Sequence, residues 1–357
     1  MSSDNNNSNW VVAYASVIGN GHVLMNLPCQ DSCAHQKIND TWGVAVVADG
    51  AGSAKKSEIG SDFVARNMAH CLEEMIKRNG WNTLEEMPSE EVWRVEALKG
   101  LQIVRQRLEQ FATAKEYHIP DLACTVLAVL YAPFGILTTH IGDGRAAYSI
   151  EVGKWESLIE PFRGSEVNET VCITSNIWTT EGVDLYIQSG IIKEKIRAFA
   201  LLSDGCENGS FEVNVWDEEN QKYHDPNRPY QKFFEPNLNG MLQLKKENKS
   251  QEEINAIWSG FLTDGSKQFK HETDDKTMIL GVFAPTEAPV VEAAPEACTY
   301  HSVLSQIDQF EWMVANTPGV ESTASLASVA QKVNAGFNEG NPRWEILPRT
   351  TASLVQA

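Results

Sequence analysis

Apolar residues recur along this chain with two periods, and each period predicts a different element. Ile59, Phe63, Val64, Met68, Cys71, Leu72, Met75 and Ile76 fall three or four apart, which predicts a helix that Gly80 is placed to end. Val92, Val95, Leu98, Leu101, Val104, Leu108 and Phe111 predict a second long helix, opened by Ser89 and two glutamates suited to a helix N-terminus. Residues 10–18 are rich in β-branched and aromatic side chains and predict a strand, followed by a polar turn at Gly19-Asn20-Gly21. Residues 42–48 form a nearly continuous apolar run ending at Asp49-Gly50, the pattern of a buried strand that delivers a carboxylate to its end.

Beyond residue 122 the texture becomes strand-like. Residues 122–131, a turn at Pro133-Phe134-Gly135, then 136–140, 145–152, a turn at Gly153-Lys154, and 155–159 predict a meander of antiparallel strands. Residues 183–188 and 198–202 predict another strand pair, and 209–239 are polar, aromatic-studded and aperiodic, which predicts an insertion or flap. A short helix over 251–262 and a final strand over 277–283 complete the pattern. Helices followed by antiparallel strands, with more helix between later strands, predict an α+β layered sandwich rather than a doubly wound parallel sheet.

Composition narrows the possible functions. The 357 residues suit one large domain plus a tail, and 42% hydrophobic with 22% charged residues is ordinary for a chain with a real core. The net charge of −19 argues against broad nucleic-acid or anionic-membrane binding. A phosphorylated substrate would also be repelled at long range, so a phosphate site needs local positive charge of the kind a bound metal supplies. Residues 1–9 are polar, predict a disordered start and contain no signal-peptide core. No apolar run reaches membrane-spanning length. Seven cysteines, an odd and scattered set, predict reduced thiols of a cytoplasmic protein. Cys29, Cys33 and His35, with His22 nearby, match no common zinc spacing. Pro285, Pro289 and Pro295 alternate with Ala, Glu and Val, so a boundary is expected near 285: a domain over 10–284 and a linker with a regulatory or partner-docking tail over 285–357.

Five acidic points share one local grammar. Asp31, Asp49-Gly50, Asp143-Gly144, Asp204-Gly205 and Asp274-Asp275 lie beside strand-like runs, each next to glycine or another polar residue. A single Asp-Gly is usually a turn. Repeated at the ends of apolar runs, such carboxylates can converge on one rim of a sheet, where hard oxygen ligands suit Mg²⁺ or Mn²⁺.

Val46-Val47-Ala48-Asp49-Gly50-Ala51-Gly52-Ser53, Ile141-Gly142-Asp143-Gly144-Arg145-Ala146-Ala147-Tyr148, Leu201-Leu202-Ser203-Asp204-Gly205 and Asp274-Asp275-Lys276-Thr277 follow one another in an ordered set. In order and approximate spacing, this set resembles the metal-dependent protein phosphatases (PPM, or type 2C), and its bacterial branches more than its eukaryotic ones. The resemblance covers residues 10–284. It implies two antiparallel sheets flanked by helices, with two Mn²⁺ or Mg²⁺ ions, and room for a third, in a cleft at one end. It further implies that Asp49 bridges two ions, that the Gly50 carbonyl joins the second, and that Asp204 and Asp274 complete the first. Asp143 with Asp204 would match the third position, and Asp31 the aspartate of an early Glu-Asp pair whose glutamate is here Gln30. The activity implied is hydrolysis of phosphoserine and phosphothreonine on proteins by an activated water, in a signalling context opposed to a Ser/Thr kinase, with no nucleic-acid or membrane partner.

Three features depart from the family pattern, one of them the stretch over 162–175 after the Asp143 hairpin, which does not read like the usual eukaryotic sequence. Ala51 stands where many members carry a histidine, and the early phosphate-binding arginine is absent from Leu24-Met25-Asn26-Leu27-Pro28. His22 and His35 are alternative acids, whereas His140 is expected to be a sheet residue because a separation of three puts it on the face opposite Asp143. Lys55, Lys56 and Arg145 are phosphate contacts, or else the lysines mark a solvated helix entry and Arg145 a structural ion pair. Phe233, Phe234 and Trp216 select substrate or simply pack. The competing functional reading is a phosphatase-like module that binds phosphoproteins without turnover.

Overall fold

The computed structural model describes residues 9–162, 170–213, 215–218 and 221–284, and expectations for residues 1–8 and 285–357 lie outside this set. The chain begins with β1 (Trp10–Val17), α1 (Asn20–Met25), β2 (Ser32–Lys37), β3 (Gly43–Ala48), α2 (Ser57–Arg78) and α3 (Glu90–Ala114). It continues through β4 (Val126–Ala132), β5 (Gly135–Ile141), β6 (Arg145–Glu151), β7 (Lys154–Ser157), α4 (Thr180–Tyr186), β8 (Gln188–Ile192) and β9 (Ala198–Leu202). Then follow α5 (Glu207–Ser210), the short strands β10 (Phe211–Glu212), β11 (Val215–Asp217), β12 (Lys222–His224) and β13 (Arg228–Pro229), and α6 (Gln231–Lys246). Last come α7 (Gln251–Asp264), α8 (Lys267–His271) and β14 (Lys276–Phe283).

Two five-stranded antiparallel sheets result, in the orders β1-β14-β9-β6-β7 and β2-β3-β4-β5-β8. Alternation along the strands explains the layers. Val44, Val46 and Ala48 of β3 pack with α2 and α3 residues such as Met68, Leu72 and Leu101, while Ala45 and Val47 turn to the opposite sheet. In β14, Met278, Leu280 and Val282 meet Phe234, Leu238, Trp258 and Leu262 of α6 and α7, and Ile279 points between the sheets. Helices therefore cover both outer faces, and the expected α+β sandwich is the observed one. Trp10, Tyr131 and Phe199 fill the space between the sheets, with ring centroids 4.6–5.6 Å apart.

Several elements differ from the pattern reading. The expected single meander is divided: β4 and β5 lie in one sheet, β6 and β7 in the other. The chain crosses over at Gly142, whose φ of +118° is open to glycine but strained for other residues. Residues 180–186 are helical rather than extended, because the Thr179 side chain caps α4 by accepting from the Gly182 N–H at 3.1 Å. The turn expected at Gly19-Asn20-Gly21 runs into the short helix α1. Part of the expected flap is the helix α6, which carries Pro236 inside it. In α3, Ser89 does cap the start, accepting from the Val92 N–H. The buried stripe there is Trp93, Ala97, Leu101, Val104 and Leu108, and Val92 and Val95 are exposed.

Candidate metal centre

Strand register brings the predicted carboxylates to one end of both sheets. Ser32 pairs with Ala48, so Asp31, just before β2, and Asp49, just after β3, share an edge. Val126 pairs with Ile141 at the same end, two residues before Asp143. In the other sheet Leu202 pairs with both Arg145 and Met278, which sets Asp143, Asp204 and Asp274 at the corresponding strand ends. All five carboxylates thus come from tight connections at one rim.

The backbone around each is held by specific bonds. The Asp49 N–H donates to Thr125 Oγ1 at 3.0 Å, and its carbonyl accepts from the Thr125 N–H at 2.7 Å. Gly50 bridges to Cys124, and a Cβ there would stand 2.3 Å from the Gln30 carbonyl oxygen. Gly205 is equally close-packed, since a Cβ would stand 2.0 Å from the Asp275 carbonyl oxygen. The glycines beside Asp49 and Asp204 therefore allow the neighbouring carboxylate-bearing segments to touch. Ser203 Oγ donates to Asp31 Oδ2 at 2.7 Å and accepts from the Thr277 N–H at 3.0 Å, tying Asp31 to β14.

The electrostatics are those of crowded negative charge. Burial pushes the Asp31 carboxyl up to about 7; the Ser203 hydroxyl opposes the shift, and the charges of Asp275 and Asp274 add to it. Asp204 is also raised to about 7 by burial, then by Asp143, Asp274 and Asp31, while a hydrogen bond with Asp49 lowers it. Asp49 is raised well above the usual carboxylate range by burial and by Asp31, Asp204, Asp143 and Asp274 together. Asp274, on the open side, is raised by partial desolvation and by Asp275, with His22 pulling the other way. With Asp49 and Asp204 each raised by the other carboxylates of the rim, the group resists full ionisation because like charges disfavour one another.

This donor set fits divalent cations: its oxygens are hard, its negative charge is unbalanced, and a cation would offset the crowding of carboxylates. Among the described residues no three His, Cys, Asp or Glu side chains stand at the spacing of a finished ligand shell. The fold presents a rim of carboxylates rather than an assembled cage.

The other candidates separate clearly. His22 Nδ1 lies 2.9 Å from Asp275 Oδ2, at the edge of the cluster. His35 instead bonds the Tyr131 hydroxyl at 2.7 Å between the sheets, and burial lowers its pKa to about 4. His140 is buried within β5, with its pKa likewise lowered to about 4. Lys55 is exposed, and Lys56 lies over the Tyr117 ring at 4.7 Å. Arg145 is fully buried. It pairs with Glu207 at 2.8 Å and Asp225 at 2.7 Å and donates to Asn227 Oδ1 at 2.7 Å, so it forms a structural ion pair that ties Glu207, Asp225 and Asn227 to β6. Phe234 is core, stacked on Trp155 at 4.5 Å; Phe233 packs beside it, and Trp216 is exposed. Pattern reading missed Thr125 and Ser203, which hold the carboxylates in place. The hydroxyl directly before Asp204 was the one local signal.

Comparison with known proteins follows the same lines. "Serine/threonine-protein phosphatase 3" of Escherichia coli (strain K12) is 29% identical over 280 residues, 77% of this chain and 99% of that protein. Among solved structures, a serine/threonine phosphatase of S. agalactiae aligns with a TM-score of 0.48 at 12% identity, covering 76% of this chain and 99% of the other. One from Staphylococcus aureus aligns with a TM-score of 0.44 at 14% identity, covering 76% and 94%. The family model for protein phosphatase 2C matches residues 18–255, which include Asp31, Asp49, Asp143 and Asp204 and stop short of Asp274. With that match spanning well over half of its length, the chain belongs to the protein phosphatase 2C family.

Proposed function

We propose that this chain hydrolyses phosphoserine and phosphothreonine esters on proteins, using water as the nucleophile and Mn²⁺ or Mg²⁺ held by the carboxylate rim. The protein phosphatase 2C family is metal-dependent, and the E. coli relative carries a serine/threonine phosphatase name. The observation that carries the reading is the strand register that brings five carboxylates to one rim. The adjacent cation, Arg145, is committed to Glu207 and Asp225 instead.

In this reading Asp49, Asp204 and Asp274, with the Gly50 carbonyl, hold two ions, and Asp143 and Asp31 extend the set, Asp143 with Asp204 toward a third. Bound divalent ions supply positive charge for the phosphoryl oxygens and a water acidic enough to ionise near neutral pH. The chain's own part is to fix the carboxylates, which is positioning and charge stabilisation rather than covalent chemistry. With Ala51 after Asp49-Gly50, His22 is the histidine best placed to face the leaving oxygen. The partners are phosphorylated proteins made by a Ser/Thr kinase, and the net charge of −19 supports neither nucleic acid nor anionic membrane. Free thiols at Cys29, Cys33, Cys71, Cys124, Cys172 and Cys206 support a reducing, cytoplasmic setting. No described helix is long and apolar enough to cross a membrane.

Phosphate release from a phosphothreonine peptide, measured with Mn²⁺ and with chelator, tests the reading. Manganese-dependent release is expected. Peptide binding without release in either condition would favour the non-catalytic module.

A further inference from the structure

The last acidic point contains two aspartates with different surroundings. Asp274 is exposed, whereas Asp275 is 1% exposed. The Asp275 carboxylate faces groups from both ends of one distant segment, residues 19–30. Gly19 N–H donates to Oδ1 at 2.7 Å and Gln30 N–H donates to Oδ2 at 2.5 Å, and His22 Nδ1 lies 2.9 Å from Oδ2. The Asp275 carbonyl oxygen also lies where only a glycine at 205 can approach it. One residue is therefore in contact with the segments that carry Asp31 (through Gln30), Asp204 (through Gly205) and His22, and it is the chain neighbour of Asp274.

We propose that Asp275 is the positioning residue of the metal centre: its carboxylate docks the Gly19–Gln30 segment against the start of β14 and so sets Asp31 relative to Asp274 before any ion binds. The inference rests on the reading that these carboxylates hold a cation. The physical argument is acceptor count. A carboxylate offers two acceptor oxygens, and here each receives a backbone N–H from one end of the Gly19–Gln30 segment. A carboxamide offers one and turns an N–H₂ toward the other donor, leaving a buried N–H without a partner. Groups that hold ligands in place in this way change metal affinity by about ten- to a hundredfold when altered.

The test compares the full chain with its Asp275→Asn variant. Calorimetric titration with MnCl₂ is expected to show affinity weakened tenfold or more in the variant, with a cooperative thermal transition retained. Unchanged affinity in a folded variant, with only a lower Tm, would mean that Asp275 is merely structural and would overturn the proposal. Amide hydrogen exchange on the unmodified chain covers the case in which the variant does not fold. Gly19 and Gln30 amides are expected to be protected in chelator, and exchange as fast as in the unfolded chain until Mn²⁺ is added would overturn pre-positioning. If the unmodified chain takes up no Mn²⁺ at all, the metal reading itself fails, and the exchange result still decides whether Asp275 docks the segment.

Discussion

Replacing Asp49 with asparagine is expected to lower manganese-dependent phosphopeptide turnover by about a hundred- to a thousandfold and to raise the Tm of the chelated protein. The two effects have one cause. Asp49 sits at the centre of the cluster, raised by burial and by the charges of Asp31, Asp204, Asp143 and Asp274. Removing its charge relieves repulsion in the ion-free protein and removes a carboxylate that would help hold the cations. A variant that lost activity and also lost stability would point to general disruption. A variant with full turnover would show that Asp49 holds no catalytic ion. Steady-state kinetics and thermal melts in chelator read both effects.

The second large effect concerns pH and metal together. Asp31 and Asp204 are raised to about 7 in the folded chain from an ordinary value of 3.8. A folded-state pKa raised above the unfolded one means that the folded protein binds more protons between those values. The stability these acids contribute is therefore complete below about 4 and is lost as pH rises through about 7. A divalent cation held by these carboxylates would replace the protons and restore it. The manganese-induced rise in Tm over chelator is thus expected to be greater at pH 8 than at pH 5.5, by about 5 °C or more. Taking the difference at each pH cancels the opposite contribution of His35 and His140, whose lowered pKa values act with or without metal. Equal shifts at the two pH values would contradict the account.

Much of the fold was legible because its signals are local. The run ending at Asp49 and the strand before Asp204 announce buried strands and their ends within a few residues. The α2 stripe likewise sits where its spacing places it. Reading failed where a distant or subtle contact decides. Val183, Leu185 and Ile187 alternate like a strand, but the Thr179 cap and the packing of Gly182 against Ile177 start a helix. The expected meander divides between two sheets at the β5–β6 connection, where Gly142 has a φ of +118°. In α3, Trp93 rather than Val92 chose the buried face. Aspartates beside glycine marked the rim, yet the sequence could not distinguish Asp274 from Asp275. The bonds that separate their surroundings span 256 and 245 residues, to Gly19 and Gln30. Arg145 was ambiguous for the same reason, since its partners Glu207 and Asp225 lie 62 and 80 residues away.

Anomalous diffraction from crystals soaked in MnCl₂ addresses the central claim most directly. Manganese peaks are predicted among Asp49, Asp204 and Asp274, with Asp31 and Asp143 lining the same rim. Well-diffracting crystals with manganese bound elsewhere, or with that rim empty at saturating metal, would contradict it.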